Sequence, residues 1–538
     1  MILLWLDINS SYAHSSLALP AMHAQSAKSK DGWQWHVASG VLNTPISHFT
    51  KAAIRLQPQV IAATAWLFNH HRLLEVIARI KALLPNTYII LGGPEFLGDN
   101  EHYLRSHPFI DAVFRGEGEE LFPQWLQCWE QPKKRDLLTG ICTIDAQSHY
   151  CDRGTARVSH FDKLVPPEAS TFFPFHKPFV QVETTRGCFN DCYFCVSGGD
   201  KPIRTLSVEQ IRERFQQLVI RNVRDIRILD RTFNVNLKRT SSLLALFCEF
   251  SGVLRFHIEI HPALLTSNII NILSDLPNGL LHIEAGIQSL DDIVLVSSGR
   301  VGNSHHSTQG IRLLKACNRF EIHADLIAGL PHYTLERIKK DVKELMSLQL
   351  DEIQLELLKL LPGTKMRDKA SSLGIIYAPT PPYEVLATPS MSQEALYEVQ
   401  QLSRLLDGWY NGKGEWRKPF VQLTLAESCF LDNFLHELMQ KQLLEQPLSA
   451  ERRGLLLYEF CAQHYPARLP EISVAWILAG FSLSKTPGKQ AVLLKNQNDN
   501  NSQIRFYHLS VPTGDYWFGF DRTQERRKPA VVLRHPPN

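Results

Sequence analysis

The feature that most constrains this chain is a group of three cysteines within eight residues. Cys188, Cys192 and Cys195 follow a short apolar run, Phe179–Val182, whose pattern predicts a β-strand. Three thiolates on one tight loop can ligate three irons of a cubane cluster and leave the fourth iron without a protein ligand. A zinc site or a disulfide is the alternative, but zinc would require a fourth Cys or His at a paired spacing. The spacing therefore favours a 4Fe-4S cluster with one open iron.

The composition limits which partners the protein is expected to bind and in which compartment it is expected to act. The 57 basic residues nearly balance the 54 acidic ones, so nucleic acid is not favoured as a partner. No apolar stretch is long enough to span a bilayer, and the first residues lack the basic region of a signal peptide, which predicts a cytoplasmic protein without membrane contact. Seven further cysteines are scattered and predict neither a disulfide framework nor a second cluster: Cys128, Cys142, Cys151, Cys248, Cys317, Cys429 and Cys461.

Up to about residue 130, short apolar runs alternate with helical patterns. This alternation predicts a first domain, residues 1–130, with a parallel, doubly wound sheet of the Rossmann type. Ligands of such sheets bind beyond the carboxyl ends of the strands, where glycines allow a close backbone approach. Four glycines in two turns at that edge are therefore predicted to bind a cofactor, although such turns also serve only to join strands to helices: Gly92, Gly93, Gly116 and Gly118.

Residues 131–178 are predicted to be a linker, in which a polar start leads into a short β-rich segment and the proline-rich stretch Val165–Pro178 forms an extended connector. Strand and helix patterns then alternate through six units in residues 179–365. Six units do not close an eight-stranded barrel, so the expected fold is a partial (β/α)6 barrel, open on one side. Ser207–Gln210 predicts a capping box at the start of its first helix.

Polar residues end the apolar runs of this partial barrel. Chemistry in such barrels gathers where the strands end, and buried carboxylates are costly unless a cation meets them. Each residue taken alone could equally cap a helix or pair with an arginine. Taken together, the following residues are predicted to bind a ligand that carries an ammonium, a sulfonium and a ribose: Asp230, Glu259, Glu284, Gln288, Ser289 and Asp325.

The cysteine loop and several later segments resemble the motifs of a known superfamily. The cysteine loop after a strand resembles that of the radical S-adenosylmethionine superfamily, and three later segments are similar to further strand motifs of that superfamily: Ile226–Asn234, Glu284–Ser289 and Asp325–Pro331. Ser10–Leu17 and the Asp230–Asn234 run resemble members that carry a cobalamin-binding Rossmann domain in front and an uncharacterised domain behind. The resemblance covers at least residues 1 to 410.

The resemblance implies roles for several positions. Cys188, Cys192 and Cys195 would ligate a 4Fe-4S cluster, and S-adenosylmethionine would chelate the open iron. Asp230 would lie near the methionine ammonium and Asp325 near the ribose. Reduction of the cluster, by an electron donor such as a flavodoxin or a ferredoxin, would yield a 5′-deoxyadenosyl radical. Radical methylation or rearrangement of a small-molecule or peptide substrate would follow, but no residue is assigned to catalysis.

Cobalamin is expected from the resemblance of the first domain. The D-x-H-x-x-G pattern that supplies an axial histidine is not satisfied, because Asn9 and Tyr12 occupy its later positions and His14 is out of register. A bound cobalamin is therefore expected to lack that axial ligand.

Residues 366–538 are predicted to form a C-terminal domain of unknown role, helical from about 390 to 480 and ending in a few strands. Two other functions stay open. Methylthio transfer to tRNA would call for cysteines of a second cluster in the first domain and a basic module at the end. A non-catalytic cluster would act as a redox sensor. The sequence names no substrate.

Overall fold

The structure is a computed structural model. It describes residues 1–26, 32–412, 414–481, 494–495, 504–511, 514–521, 523 and 528–535. The chain divides into two compact units. The first comprises Met1–Thr334 with Leu357–Leu396, and the second comprises Leu335–Glu356 with Tyr397–Asn538.

A seven-stranded sheet opens the first unit, with strands at Ile2–Asn9, Gln34–Val41, Val60–Thr64, Tyr88–Gly92, Ala112–Phe114, Ile141–Ile144 and Tyr150–Asp152. Their spatial order is 2-1-3-4-5-6-7, with the first five parallel and the last two antiparallel. The second and third strands lie on opposite sides of the first strand. The order of the strands reverses there, and this creates a ligand-binding crevice at the carboxyl edge. The doubly wound prediction is confirmed, and the sheet also takes in a hairpin from the predicted linker.

Apolar residues on both faces explain why this sheet is covered on both sides. Leu4 and Ile61 belong to one buried cluster, and Leu3, Val60 and Ile90 belong to another. Because neighbouring residues of a strand point to opposite faces, near-continuous apolar runs require helices on each face. The helices of this part are Ala18–Ser26, Ile46–Leu56, His70–Leu83, Glu101–Ser106, Leu121–Gln127 and Pro132–Arg135.

A second parallel sheet follows in the first unit. Its strands lie side by side in chain order at Val180–Val182, Asp225–Ile228, Arg255–Ile260, Leu281–Gln288 and Glu321–Ala328. Buried and partly buried residues alternate along the last three, as in a barrel wall with one face on the helices and one on the interior. The helices are Val208–Ile220, Leu237–Glu249, Ser267–Asp275, Asp292–Ser297, Ser304–Cys317 and Lys365–Asp368. The capping box predicted from Ser207 is confirmed.

Two small antiparallel pairs complete the strands of the first unit. Thr185–Arg186 pairs with Arg204–Thr205, and Ile376–Tyr377 pairs with Val385–Ala387. The first pair has a direct bearing on the site, because it closes the base of the cysteine loop.

The second unit is mainly helical, as predicted. Its helices are Leu335–Ser347, Arg417–Ala426, Phe430–Gln440, Ala450–His464 and Leu469–Leu478, and it contains most of Gln393–Leu406. The sixth predicted strand, Glu352–Leu357, also forms, and all but its last residue belong to this unit. Four antiparallel strands end the chain: Leu494–Lys495, Ile504–Val511, Gly514–Asp521 and Val531–Leu533. Among the described helices, none combines the length and the apolarity needed to cross a bilayer.

Candidate active site

The cysteine loop is held in shape by its own backbone. It leaves the pair formed by Thr185–Arg186 and Arg204–Thr205, and the amide of Cys188 donates to the carbonyl of Asp200 at 3.2 Å. Gly187 has φ +98°, and a Cβ there would stand 2.5 Å from that same carbonyl oxygen. Only glycine is accommodated without strain at such a position. The tight loop that the sequence predicted therefore depends on Gly187 immediately before the first cysteine.

The three thiols of the loop are free to ligate a metal group. Cys188 and Cys192 are buried, Cys195 is partly buried, and none is in a disulfide. Three thiolates on one loop fit an iron–sulfur cube that keeps one iron without a protein ligand.

Each of the three sulfur atoms has a hydrogen-bonding neighbour. The Arg300 guanidinium donates to Cys192 Sγ at 3.7 Å, the Thr232 hydroxyl lies 3.8 Å from Cys188 Sγ, and the Ser197 amide donates to Cys195 Sγ at 3.4 Å. Hydrogen bonds to cluster sulfurs are one of the means by which a protein tunes the potential of a cluster.

Burial raises the pKa of the Cys192 thiol, the Arg300 charge and hydrogen bond lower it, and the nearby Cys195 and Cys188 add to the rise. A buried thiol loses its proton with difficulty when no metal is present. A bound metal replaces that proton and holds the group as a thiolate. The three thiols therefore form a site that is suited to iron ligation.

Asp230 supports the strand that leads into the loop. Its carboxylate is 1% exposed and accepts hydrogen bonds from the amides of Thr184 and Thr185, each at 2.8 Å, and from the Thr184 hydroxyl. Burial raises the pKa of Asp230, and these hydrogen bonds oppose the rise. The residue predicted to contact a cofactor thus holds the backbone next to the cysteine loop.

A network of partly buried charges lies beside the loop and was not predicted. The Arg186 guanidinium contacts Glu119 at 2.8 Å, Glu183 at 2.5 Å and Glu117 at 3.6 Å. Arg204 also pairs with Glu117, at 2.7 Å. Burial raises the pKa of Glu183 despite the Arg186 charge, and the neighbouring carboxylates raise the pKa of Arg186. The network links the turn after the fifth strand to the residues before Cys188.

A cavity of about 1280 Å³ extends from the carboxyl edge of the first sheet to the cysteine loop. This volume exceeds the 300–1,000 Å³ that is typical of sites for drug-sized ligands. All four predicted glycines line it, as do Gly187, Val196 and Ser197 of the loop region. Among the lining residues, all of which belong to the described part of the chain, there is no histidine.

Two of the four glycines are required by backbone contacts. Gly93 has φ +113°, and its Cβ would lie 2.6 Å from the Ala65 carbonyl oxygen; Gly116 has φ +100°, and its Cβ would lie 2.2 Å from the Ala156 carbonyl oxygen. A Cβ on Gly118 would instead approach only the flexible Met22 side chain, at 3.0 Å to Sδ. Gly118 therefore leaves space at the cavity wall, and its backbone conformation does not require glycine.

Asp230 and the other predicted polar residues do not line this cavity. Glu259, Glu284 and Asp325 point into the barrel interior, and in the register of the strands Glu259 faces Glu284 and Gly286 faces Asp325. Glu284 and Asp325 were expected at strand ends. They lie in mid-strand, because the strands extend to Gln288 and Ala328.

The partner of Glu284 is a histidine. His257 Nε2 lies 2.9 Å from its carboxylate and lowers its pKa, as does a hydrogen bond with Asp325. Ser289 is buried and accepts from the Asp291 amide at 3.0 Å, and Gln288 has φ +70° at an irregularity of the strand. The structure therefore brings the interior acids together, but away from the glycines.

The pKa of Glu259 is raised to about 7 by burial, with Arg231 opposing the rise and Glu284 adding to it. Between about pH 4.5 and 7 the folded chain keeps a proton that the unfolded chain has lost, so the free energy of unfolding falls as pH rises. We expect the cofactor-free protein to lose about 3 kcal/mol across this window through Glu259. Denaturant unfolding at pH 5 and pH 7.5 measures the loss, and Glu259→Gln is expected to abolish it. An equal pH dependence in the variant would contradict the assignment.

Three family models match this chain in succession. The B12 binding domain matches residues 14–126, the Radical SAM superfamily matches residues 182–345, and a protein family of unknown function (DUF4080) matches residues 371–464.

The chain is also similar to curated proteins. One is an uncharacterised methyltransferase of Pyrococcus horikoshii, 24% identical over 72% of this chain and 84% of that protein. A tRNA-2-methylthio-N(6)-dimethylallyladenosine synthase of Haemophilus influenzae is 25% identical over 54% of this chain and 59% of its own length. The cobalamin-dependent radical SAM methyltransferase TokK of Streptomyces tokunonensis is 22% identical over 66% of this chain and 55% of its own length.

Among solved structures, the cobalamin-dependent S-adenosylmethionine radical enzyme OxsB with aqua-cobalamin and S-adenosylmethionine bound superposes with a TM-score of 0.61. The alignment has 14% identity and covers 88% of this chain and 78% of the other. The fold expected from the sequence is therefore shared with that structure.

Proposed function

Because this chain belongs to the radical S-adenosylmethionine superfamily and carries a B12-binding domain, we propose that it is a cobalamin-dependent methyltransferase. Its substrate would be a small molecule or a peptide with an unactivated carbon. The proposal rests on one observation: a single cavity of about 1280 Å³ is lined both by the first-sheet glycines and by the cysteine loop. A corrinoid at the glycines and S-adenosylmethionine at the loop would share one chamber.

The residues that would hold the cofactors are distinct. Cys188, Cys192 and Cys195 would ligate the 4Fe-4S cluster, and the cavity wall around Gly93 and Gly118 would contact cobalamin. With the cofactors bound, S-adenosylmethionine supplies a methyl group or a 5′-deoxyadenosyl radical, and cobalamin serves as a methyl carrier. The residues of this wall would offer cobalamin no histidine ligand, in line with the unsatisfied D-x-H-x-x-G pattern.

The chain itself contributes electrostatics and exclusion of water. Arg300 and the Ser197 amide donate to the sulfurs of Cys192 and Cys195 and would stabilise their negative charge when a cluster is bound. Trp5, Phe114 and other apolar residues of the cavity wall would keep water from reactive intermediates.

The interior acids are proposed to serve S-adenosylmethionine in two ways. Asp230 would act by fixing Thr184 and Thr185 beside the cysteine loop. The inward-facing groups Glu259, Glu284, Gln288, Ser289 and Asp325 would provide carboxylate, amide and hydroxyl oxygens for the ammonium and ribose groups. An electron donor such as a flavodoxin or a ferredoxin would supply the reducing electron.

Reconstitution under anaerobic conditions tests the proposal. We expect the full chain, purified with cobalamin supplied, to retain about one corrinoid per chain and, after cluster reconstitution and reduction, to convert S-adenosylmethionine to 5′-deoxyadenosine or S-adenosylhomocysteine. Absorbance spectra and chromatography of the products measure both. A cluster-loaded protein that forms neither product would contradict an enzymatic function and leave a redox-sensor role.

Gly118 allows the corrinoid site to be tested separately. A bulky side chain there would fill the cavity, whereas its only close neighbour is the flexible end of Met22. We expect Gly118→Phe to lower corrinoid retention at least 10-fold and Gly118→Ala to change it little, with the cluster iron content unchanged in both. Equal corrinoid retention in the Phe variant and the wild type would place cobalamin elsewhere.

No observation favours methylthio transfer to tRNA over methyl transfer. A second cluster in the first domain would need three cysteines there, but the sequence has none before Cys128. Cys142 is buried in the core of the first sheet, where it serves packing.

A further inference from the structure

The strands of the second sheet carry three histidines near their N-terminal ends. His257 and His282 are directly paired in the register of their strands, as are His282 and Glu321. His323 lies on the same strand as Glu321, two residues further on, so that both side chains point to the same face. The rings are in contact: His257 and His282 stack with centroids 4.7 Å apart, and His282 and His323 meet edge to face at 4.1 Å.

Three of these side chains converge on one point. One ligand atom from each of His282, Glu321 and His323 lies within 4.8 Å of the other two. His282 Nδ1 is 3.5 Å from Glu321 Oε2. Tetrahedral coordination with bonds of about 2.0–2.1 Å separates two ligand atoms by about 3.3 Å. The His282–Glu321 pair already has close to this spacing.

The surrounding side chains hold the His282 ring in place. His257 covers one face of the ring and is itself fixed by Glu284, at 2.9 Å. Such supporting contacts orient ligating imidazoles.

We propose that His282, Glu321 and His323 bind a divalent first-row transition metal, with zinc as the metal to be used as a probe. Two imidazoles and one carboxylate form a donor set that zinc accepts, and a fourth position stays open. The site joins two neighbouring strands at the N-terminal ends of the sheet. The cysteine loop follows the C-terminal end of a parallel strand, so the two sites lie at opposite ends of the sheet.

Metal content tests this inference on the full-length, cluster-reconstituted protein. After dialysis against zinc and removal of loosely bound ions, we expect about one zinc per chain in addition to the cluster iron. The double variant His282→Ala/His323→Ala is expected to lose this zinc. The matched control is His305→Ala/His306→Ala, which removes two exposed histidines outside the group and is expected to retain it.

The iron content of the protein shows whether zinc has been captured by the cysteine loop instead. Zinc that replaces cluster iron would lower the iron content, and its amount would not depend on His282 and His323. That result would overturn the inference, as would a wild-type protein without excess zinc.

Glu321→Gln keeps the inference testable if the double variant fails to fold, because Glu321 is exposed and the change is isosteric. We expect it to weaken zinc affinity at least 10-fold. Zinc should also raise the thermal midpoint of the wild type and of the control, because it binds only the folded chain, and should leave that of the double variant unchanged. An unaltered affinity in Glu321→Gln, or an equal thermal shift in the double variant, would refute the site.

Discussion

Replacement of Cys192 by serine is expected to abolish cluster assembly and, with it, conversion of S-adenosylmethionine. Cys192 is the middle cysteine of the loop, it is buried, and it receives the Arg300 hydrogen bond at 3.7 Å. Only two thiolates would remain for a cube that needs three, and a serine hydroxyl is a poor replacement for a soft sulfur ligand. We expect the iron content to fall from about four to below one per chain and product formation to reach background.

Two exposed cysteines provide the matched control for this change. Cys248 and Cys429 are exposed and lie outside the loop, so the Cys248→Ser/Cys429→Ser variant is expected to keep full iron content and turnover. Iron and sulfide analysis and the visible spectrum give the first readout, and chromatography of 5′-deoxyadenosine and S-adenosylhomocysteine gives the second. A Cys192→Ser protein that still carries a complete cluster would show that this loop is not the ligand set.

The second large effect is expected at Arg186. Its side chain is 16% exposed and contacts Glu117, Glu119 and Glu183. Its loss would leave the partly buried carboxylates of Glu119 and Glu183 without this cation, whereas Glu117 keeps Arg204. Removing one partner of a buried ion pair costs about 3–5 kcal/mol, and because these groups are partly exposed we expect Arg186→Gln to lower the free energy of unfolding at pH 7.5 by about 3 kcal/mol, measured by denaturant titration.

The pH dependence of this loss identifies its cause. Protonated carboxyl groups need no cation, so the difference between wild type and Arg186→Gln should shrink as pH falls toward 4. Arg212 is a suitable control, because its pairing with Glu249 is at the surface and screened by solvent. Arg212→Gln should show no measurable change. A loss at Arg186 that does not vary with pH would point to lost packing against Phe161, whose ring lies 4.8 Å from the guanidinium.

Much of the fold could be predicted because its signals are local. Strands Ala112–Phe114 and Arg255–Ile260 and helix Ile46–Leu56 form where the local apolar pattern of their segments indicates. Period and chain order determine such elements, and the strand–helix alternation limits the sheets to parallel ones. The hairpin at Ile141–Ile144 and Tyr150–Asp152 lies within the predicted linker and joins the first sheet. Its pairing could not be predicted, because pairing at a sheet edge depends on a distant partner strand.

The site residues were predictable to different degrees. The spacing of the three cysteines on one loop predicts a cluster, and the position of the four glycines after apolar runs predicts a ligand-binding edge. Arg186 directly precedes Gly187 and Cys188, which is the one sequence signal that could have revealed it, but two of its three acidic partners, Glu117 and Glu119, come from a distant segment. The His257–Glu284 contact joins residues 27 positions apart on neighbouring strands, and only the strand register brings them together.

By itself, the sequence determined the cysteine loop, the glycine turns and the succession of folding units, because each depends on residues close along the chain. The tertiary structure alone decided three further features. It joined the glycines and the loop in one cavity, it assigned Asp230 to the backbone of Thr184 and Thr185, and it assembled His282, Glu321 and His323. The physical reason is that burial and contact between distant segments arise only when the sheets are packed, whereas spacing and periodicity exist in the unfolded chain.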